Sequence, residues 1–192
     1  MKRLLAAMIA GAALTAAAVP AFAAEVAYKL DSSHTQTSFA IDRFGFTSIL
    51  GMFAQSEGTI WLDEAAPEKS RVEATVSVDS LLSANTARDE HLKAERWLNA
   101  AKSPTMTFKS TKVEKTGDTT AKVTGDMTIM GVTQPVTLDV KLNKIGVGNN
   151  QKKQAGFTIT GQISRKAFGS ATGAGVIGDA VNIRIEALAV AQ

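Results

Sequence analysis

Residues 71–79 read RVEATVSVD, and their alternation of apolar and polar side chains decides the fold class. Val72, Ala74, Val76 and Val78 would point to one side of an extended chain, and the residues between them to the other side. A period of two is typical of a β-strand with one buried and one solvated face. Because parallel sheets covered by helices read as continuous apolar runs, this pattern favours antiparallel pairing.

The same alternation returns along the chain, which gives eight candidate strands in all. Closing eight strands into a barrel removes the exposed edges that an open sheet must protect. Turn signals at 116–118 and 146–150 suit hairpins between neighbouring strands. The sequence therefore predicts an all-β fold, an antiparallel barrel of eight strands. Besides 71–79, the predicted strands are 35–43, 58–62, 105–113, 120–129, 136–142, 154–163 and 181–189.

Three stretches interrupt the strand pattern. Residues 85–101 are rich in helix formers, with Asn85 or Thr86 as N-cap, and predict the one short helix between strands. Residues 44–53, FGFTSILGMF, are predicted to be an irregular apolar segment. Residues 168–178, FGSATGAGVIG, are too rich in glycine for a regular strand and predict a flexible connection or a flap at the barrel mouth.

The first 23 residues have the pattern of a secretory signal peptide. Lys2 and Arg3 precede an apolar, alanine-rich run, and Ala21-Phe22-Ala23 places small residues at the cleavage site. The alternative, a membrane anchor, fits less well because Gly11, Thr15 and Pro20 interrupt the run. We therefore expect an exported protein whose folded domain occupies 24–192. Cleavage leaves 19 cationic against 18 acidic residues instead of 21 against 18, a formal charge of +1 instead of +3.

Composition and motifs weigh against several classes of function. A nearly neutral mature chain with mixed charges on its outward faces is not typical of a nucleic-acid binder. With no Cys, the fold has no disulfides, and a structural zinc site at His34 or His91 is not expected. No G-x-S-x-G elbow accompanies the Ser, His and Asp residues, and the 169–178 glycines lack the Lys of a phosphate-binding loop. We expect no enzyme activity, no cofactor and no metal.

The predicted barrel interior has many small or slender side chains. An eight-stranded barrel is either just filled by its side chains or holds one small ligand. The inward residues Ala74, Ala121, Gly125 and Gly161 leave room for an elongated apolar ligand. The alternative is that the helix and the 44–53 segment fill the space, and the pattern alone does not decide between the two.

Five ordered motifs carry a family resemblance across almost the whole mature chain. They are YKLDSSHTQTSFAI (28–41), GFTSILGMF (45–53), ARDEHLKAERWLNAAKSPTMTFKST (87–111), GDMTIMGVTQPVTL (125–138) and ISRKAFG (163–169). Together they resemble the YceI-like family of bacterial periplasmic proteins. The resemblance implies an extended antiparallel eight-stranded lipocalin-like barrel with one short helix between strands. Its long apolar tunnel would bind polyisoprenoids or related amphiphilic lipids, including isoprenoid quinones and fatty amides. It also implies a homodimer without catalytic residues.

Three positions depart from the motifs of that family. Arg43 and Met130 stand where the family often has His, and Lys166-Ala167 replaces a segment that often contains Asp. Any polar contact that those family residues make with a ligand head group is therefore not expected here.

The leading hypothesis is a periplasmic carrier for an isoprenoid-type or other long-chain amphiphilic lipid, with a transient membrane contact. The alternative is a non-enzymatic interaction module for a membrane redox or stress-response partner, and a weaker third option is a lipid-modifying hydrolase. The expected wall residues are Phe39, Met106, Phe108, Phe157 and Ile159. Phe44, Phe46, Ile49, Phe53, Trp97 and Phe168 are expected at the loops and helix, with Arg88, Asp89 and His91 as a polar cluster.

Overall fold

A computed structural model describes residues 25–192, so the signal peptide predicted at 1–23 lies outside the described residues. One α-helix and eleven β-strands are found in the described part of the chain. The helix is α1 (Thr86–Lys93). The strands are β1 (Val26–Leu30), β2 (Gln36–Arg43), β3 (Thr47–Phe53), β4 (Ser56–Leu62), β5 (Arg71–Ser77), β6 (Leu81–Leu82), β7 (Thr105–Lys115), β8 (Thr120–Ile129), β9 (Val132–Val147), β10 (Lys153–Ser164) and β11 (Ile177–Ala191).

The eleven strands form a closed barrel of eight, because three barrel strands are broken by kinks. Strands β1 and β2 pair with successive parts of β11, so they form one kinked strand. Strands β3 and β4 pair with β2 and β1, and β6 and β5 pair with β3 and β4 in the same way. Antiparallel pairing of β5 through β7, β8, β9, β10 and β11 completes the ring. The predicted all-β, eight-stranded antiparallel barrel is confirmed.

The two ends of the barrel differ in what covers them. Helix α1, the turn between β2 and β3 and the glycine-rich 168–178 segment lie at one end, which we call the helix end. The 63–70 connection and the β7–β8 and β9–β10 hairpins lie at the other, the far end. Both predicted hairpins are confirmed by turn hydrogen bonds, from Thr116 N to Thr120 O (2.9 Å) and from Gly148 N to Lys152 O (2.9 Å).

The prediction that 44–53 is irregular is wrong, since Thr47–Phe53 is strand β3. Its inward positions are Ile49, Gly51 and Phe53, while Leu50 and Met52 point outward. Apolar side chains on both faces hide the period of two that marks a half-buried strand. Only residues 44–46 form the turn itself, with a left-handed φ of 57° at Phe44 and 71° at Gly45.

The predicted helix at 85–101 is too long. Asn85 is the N-cap, and its side chain accepts a hydrogen bond from Arg88 N (3.0 Å). The helix ends at Lys93, since Ala94 has an extended ψ of 162°. The residues beyond it form turns, with Trp97 N donating to Ala94 O and Ser103 N to Asn99 O. Helix-forming residues there are used in a compact loop across the helix end, because tertiary contacts override weak intrinsic propensities.

Two buried clusters hold the barrel together. One packs Tyr28, Ala155, Phe157, Ala187 and Ala189 toward the far end. The other packs Ile129, Val136, Leu138 and Phe168 toward the helix end. No helix in residues 25–192 is long and apolar enough to span a membrane.

Candidate ligand-binding cavity

The barrel encloses a cavity of about 1100 Å³. Its lining extends from Trp97 and Ser170 at the helix end to Glu64, Pro67 and Asp118 at the far end. Ligand pockets for small molecules have volumes of about 300–1,000 Å³, so this cavity is slightly larger than that range. The interior therefore has room for a ligand, and α1 and the 44–53 segment do not fill it.

Two inward glycines contribute less room than their size indicates. A methyl group on Gly125 would lie 2.6 Å from Phe108 Cζ, and one on Gly161 would lie 2.5 Å from Leu138 Cδ2. The large neighbour already occupies the space at each glycine. The free volume instead lies along the slender valines, alanines and isoleucines of the other inward positions.

All five residues predicted for the wall line the cavity. Met106 and Phe108 come from β7, Phe157 and Ile159 from β10, and Phe39 from β2. The Phe39 ring packs against Phe53, with 5.7 Å between the ring centroids. Because most inward positions are apolar, the wall is a largely apolar surface, and Thr37 and Ser56 are among its few hydrogen-bonding groups.

Most residues predicted for the loops and helix also reach the cavity. Ile49, Phe53, Trp97, Phe168, Arg88 and His91 all belong to its lining. His91 and Trp97 contact each other edge to face, with 5.5 Å between ring centroids. The Trp97 Nε1 atom is buried without a hydrogen-bond partner among residues 25–192. These residues form the floor of the cavity at the helix end.

Three predicted residues lie outside the lining. Phe46 is 92% exposed at the turn between β2 and β3, and Phe44 beside it is 49% exposed. Asp89 is buried, but its carboxylate accepts a hydrogen bond from Ser83 Oγ. Their aromatic or acidic character was visible in the sequence, whereas the direction of each side chain depends on the turn and the helix N-terminus.

The polar residues of α1 are engaged with the preceding strand. Arg88 Nε donates to Ser83 Oγ (2.7 Å), and Arg88 Nη2 donates to the Ser83 carbonyl. The Asp89 carboxylate accepts a hydrogen bond from the same Ser83 hydroxyl. Arg88 and Asp89 therefore attach the start of α1 to Ser83, the residue directly after β6. Arg88 therefore serves the fold at the same time as it borders the cavity.

Arg165 is a buried lining residue that sequence reasoning missed. Its guanidinium donates to the carbonyls of Ser170 (2.6 Å), Thr172 (2.8 Å), Ile177 (3.0 Å) and Gly178 (2.8 Å). An arginine has five N–H donors in a fixed planar fork, which suits several carbonyls of one loop. The available signal was the position of this arginine directly before a glycine-rich segment. Four hydrogen bonds from Arg165 therefore anchor the 168–178 segment at the helix end of the barrel.

A second polar group, also missed, stands at the far end. Tyr28 is fully buried, and its hydroxyl donates to Glu64 Oε1 (3.3 Å), which also forms an ion pair with Lys153. Burial and the nearby Glu64 carboxylate raise the pKa of Tyr28, and a hydrogen bond with Glu64 raises the pKa of Lys153. Glu64 also lines the cavity, so the far end offers a carboxylate beside an apolar interior.

The His34 cluster does not have the geometry of a catalytic triad. Ser33 Oγ lies 3.0 Å and Asp31 Oδ2 lies 2.8 Å from the same ring nitrogen, His34 Nδ1. A triad needs the acid on one ring nitrogen and the nucleophile on the other. These residues instead form an exposed turn at the kink between β1 and β2, outside the cavity lining. Hydrogen bonds from Ser33 and His34 lower the pKa of Asp31.

Residues 25–192 contain no group of three or more His, Cys, Asp or Glu side chains that could hold a metal ion. Most side chains along the cavity wall are apolar, and the charged ones stand toward the two ends.

Comparison with known families identifies the fold. The YceI-like domain matches residues 28–189, which is nearly all of the described chain. The chain belongs to the YceI-like family. It is 38% identical to Protein YceI of Escherichia coli O6:H1 over 169 residues, covering 86% of this chain and 87% of that protein. Protein YceI of Salmonella arizonae is 36% identical over 172 residues, covering 90% of each chain.

Solved structures show the same YceI-like barrel. The crystal structure of Campylobacter jejuni YceI protein has a TM-score of 0.68 at 30% identity, covering 75% of this chain and 85% of that one. Burkholderia cenocepacia BcnA has a TM-score of 0.76 at 22% identity, covering 83% and 98%. A polyisoprenoid binding domain from Saccharophagus degradans has a TM-score of 0.66 at 12% identity, covering 87% and 99%.

The three departures from the YceI-like motifs have different positions. Arg43 lines the cavity at the helix end. Met130 and Gly131 form the turn between β8 and β9, with φ of 53° and 77°. Lys166 is exposed, and its backbone N–H donates to Asp179 Oδ1 (2.9 Å). Of the three, Arg43 is the one that lines the cavity.

Proposed function

We propose that this YceI-like protein is a periplasmic carrier that binds a long-chain isoprenoid or another long-chain amphiphilic lipid in its barrel. The observation that carries the proposal is the continuous apolar cavity of about 1100 Å³ that extends between the two ends of the barrel. Strand β11, with 15 residues, spans roughly 50 Å, which suits an extended chain. The structural likeness to a polyisoprenoid binding domain supports the same class of ligand.

Hydrophobic transfer is the driving force for this binding. Each buried methylene contributes about 0.8 kcal/mol, so a chain of about twenty carbons gains roughly 16 kcal/mol. That gain is at or above the estimated cost of association, about 4–15 kcal/mol. An apolar wall is therefore sufficient for affinity, while polar groups at either end of the cavity are placed to contact a head group.

We infer that the protein binds its ligand without catalytic residues and is exported after removal of residues 1–23. The interaction-module hypothesis predicts a tightly packed interior, and the open cavity favours the carrier instead.

We infer that the protein forms a homodimer through the outer face of β3. Leu50 and Leu82 are 67% and 52% exposed there, and β6 covers only Met52 and Phe53 of the β3 edge. Exposed apolar edges of this kind pair readily with another chain. Sedimentation of the wild-type protein should show a dimer, and Leu50→Lys should yield a monomer. A wild-type monomer at all concentrations would contradict this part of the proposal.

The test of the carrier is uptake of a polyprenyl alcohol or an isoprenoid quinone by the purified mature protein. Ile159→Trp places an indole in the cavity and should abolish uptake, because Ile159 is in the middle of the wall. Thr160→Trp is the matched control, since Thr160 is the next residue on β10 and is exposed. Equal uptake by both folded variants, or none by the wild-type protein, would contradict the proposal.

A further inference from the structure

The turn between β2 and β3 presents aromatic side chains to solvent. Phe46 and Phe44 are 92% and 49% exposed, and Val176 on the neighbouring loop is 36% exposed. Phe44 N donates to Val176 O (2.8 Å), which holds the two loops side by side. We call Phe44, Phe46 and Val176 the apolar tip. Isolated apolar side chains on a surface are ordinary, but a contiguous group at a projecting turn is typical of an interaction site.

The backbone of the tip is not optimised for the fold. Phe44 has a φ of 57°, a left-handed conformation that is unfavourable for a bulky residue. Asn or Gly is preferred at such positions of a tight hairpin turn. Neither phenyl ring lies in either buried cluster or in the cavity lining. A strained backbone that carries an exposed ring therefore indicates a role outside the folded core.

The tip stands beside the cavity at the helix end. Its member Val176 lines the cavity, as do its chain neighbours Arg43 and Ile177. Ile41 and Ile49, which pair across β2 and β3, continue the apolar lining inward from the turn. A partner held by the tip is therefore brought next to the ligand.

Cations accompany the apolar tip. The Arg43 guanidinium lies 5.4 Å from the centre of the Phe44 ring, and the carbonyl of Arg96 accepts a hydrogen bond from Thr172 on the same loop as Val176. Both arginine side chains are exposed, and neither has an ion-pair partner within residues 25–192. The neighbouring Asp42 carboxylate is engaged within the turn by Gly45 N (2.9 Å).

We propose that the apolar tip inserts into the interface of an anionic bilayer and holds the helix end of the cavity against the membrane. Exposed phenyl rings with the Arg43 guanidinium beside them match the apolar and anionic layers of such an interface. The tip is small for a contact between protein copies, because a phenylalanine buries about 150–250 Å² and a stable interface needs about 800 Å² per partner. This inference rests on the carrier function, since a lipid that passes directly between bilayer and cavity does not cross water.

The experiment is flotation of the mature protein with vesicles of phosphatidylcholine, with and without phosphatidylglycerol. Phe46→Ser should lower binding to the anionic vesicles by about tenfold, the effect of withdrawing one phenyl ring from an apolar phase. Val147→Ser is the matched control, because Val147 is 69% exposed at the far end of β9, and should leave binding unchanged. A double change, Arg43→Gln with Arg96→Gln, should reduce the preference for phosphatidylglycerol.

The outcomes separate this inference from the carrier function. Equal vesicle binding by Phe46→Ser and Val147→Ser would overturn the docking role, as would a protein that binds lipid from detergent solution but never binds vesicles. A change in sedimentation of Phe46→Ser with unchanged vesicle binding would overturn it too, because it would place the tip between protein copies. Failure of lipid uptake from detergent solution would instead count against the carrier function.

Discussion

Gly51 and Gly125 both face the barrel interior beside a phenyl ring, yet a methyl group at each would meet different neighbours. At Gly51 the nearest atoms are Cζ and Cε1 of Phe39, at 2.4 and 2.7 Å, which belong to the end of a side chain. At Gly125 they include Lys109 O (2.5 Å) and Ser110 Cα (2.8 Å), which belong to the backbone of β7. A ring can rotate into an open cavity, whereas a paired strand cannot move without losing hydrogen bonds.

We therefore expect Gly51→Ala to fold normally and to bind lipid less tightly, because the displaced Phe39 ring takes up cavity volume. Gly125→Ala should lower the free energy of unfolding by about 1–3 kcal/mol, as overpacked interior sites do. Urea denaturation of both variants, with lipid uptake for Gly51→Ala, measures the two effects. Equal loss of stability in both would show that the cavity beside Phe39 does not accept the ring.

Arg165 gives a second prediction at this scale. Replacing it by Met removes the donors to four carbonyls of the 168–178 segment. Each buried carbonyl left without a partner costs about 1–3 kcal/mol, so the segment should detach and its amides should exchange rapidly with solvent. Arg184→Gln is the control, because it breaks an exposed ion pair with Glu186 and should change stability by less than about 1 kcal/mol. Unchanged exchange at Gly169 and Ser170 in Arg165→Met would contradict this role.

The elements of the barrel differ in how clearly the sequence reveals them. In β5 the inward Val72, Ala74 and Val76 alternate with outward polar residues without exception, so the strand was predicted from its pattern. In β3 Leu50 and Met52 are apolar on the outer face, and in β1 the five residues Val26–Leu30 are too short a window to show a period. Helix α1 was predicted with its N-cap, but its end at Lys93 is set by the turns that residues 94–103 form with one another and with the helix.

The hydrogen bonds that Asp179 accepts from Ser164 and Lys166 should be sensitive to acid. Hydrogen bonds from Lys166 N and Ser164 Oγ, at 2.9 and 2.7 Å, lower the pKa of Asp179 below its ordinary value of 3.8. A carboxylate with a lowered pKa stabilises the folded state above its unfolded pKa, and that contribution is lost as the pH falls through the folded value. The barrel should therefore keep this anchor at neutral pH and lose it only below pH 3.8.

The Lys166 amide chemical shift, followed by NMR from neutral to acidic pH, reports this titration directly. The wild-type shift should change with a midpoint below 3.8, and the change should disappear in Asp179→Asn. Asp139→Asn is the control, since the Asp139 carboxylate is exposed and paired with Lys122. A midpoint above 3.8 would show that these hydrogen bonds do not favour the ionised form.

At the scale of the whole molecule, the cavity depends on closure of the barrel and on how its inward side chains share the space. Sequence pattern placed Phe39, Met106, Phe108, Phe157 and Ile159 on inward faces, and all of them line the cavity. It could not decide whether the interior was filled, because that depends on which large side chain lies over which glycine, as Phe108 does over Gly125. Arg165 and Glu64 were missed because their partners are carbonyls or residues distant in sequence.

The central claim is that the cavity of this YceI-like barrel carries a long-chain lipid. Native mass spectrometry of the protein isolated from its own periplasm, followed by organic extraction, tests it most directly. We predict a mass above that of residues 24–192 by one lipid per chain, lost in Ile159→Trp and retained in Thr160→Trp. The claim would be contradicted if repeated preparations showed only the mass of the bare polypeptide and the purified protein took up no quinone or polyprenyl compound.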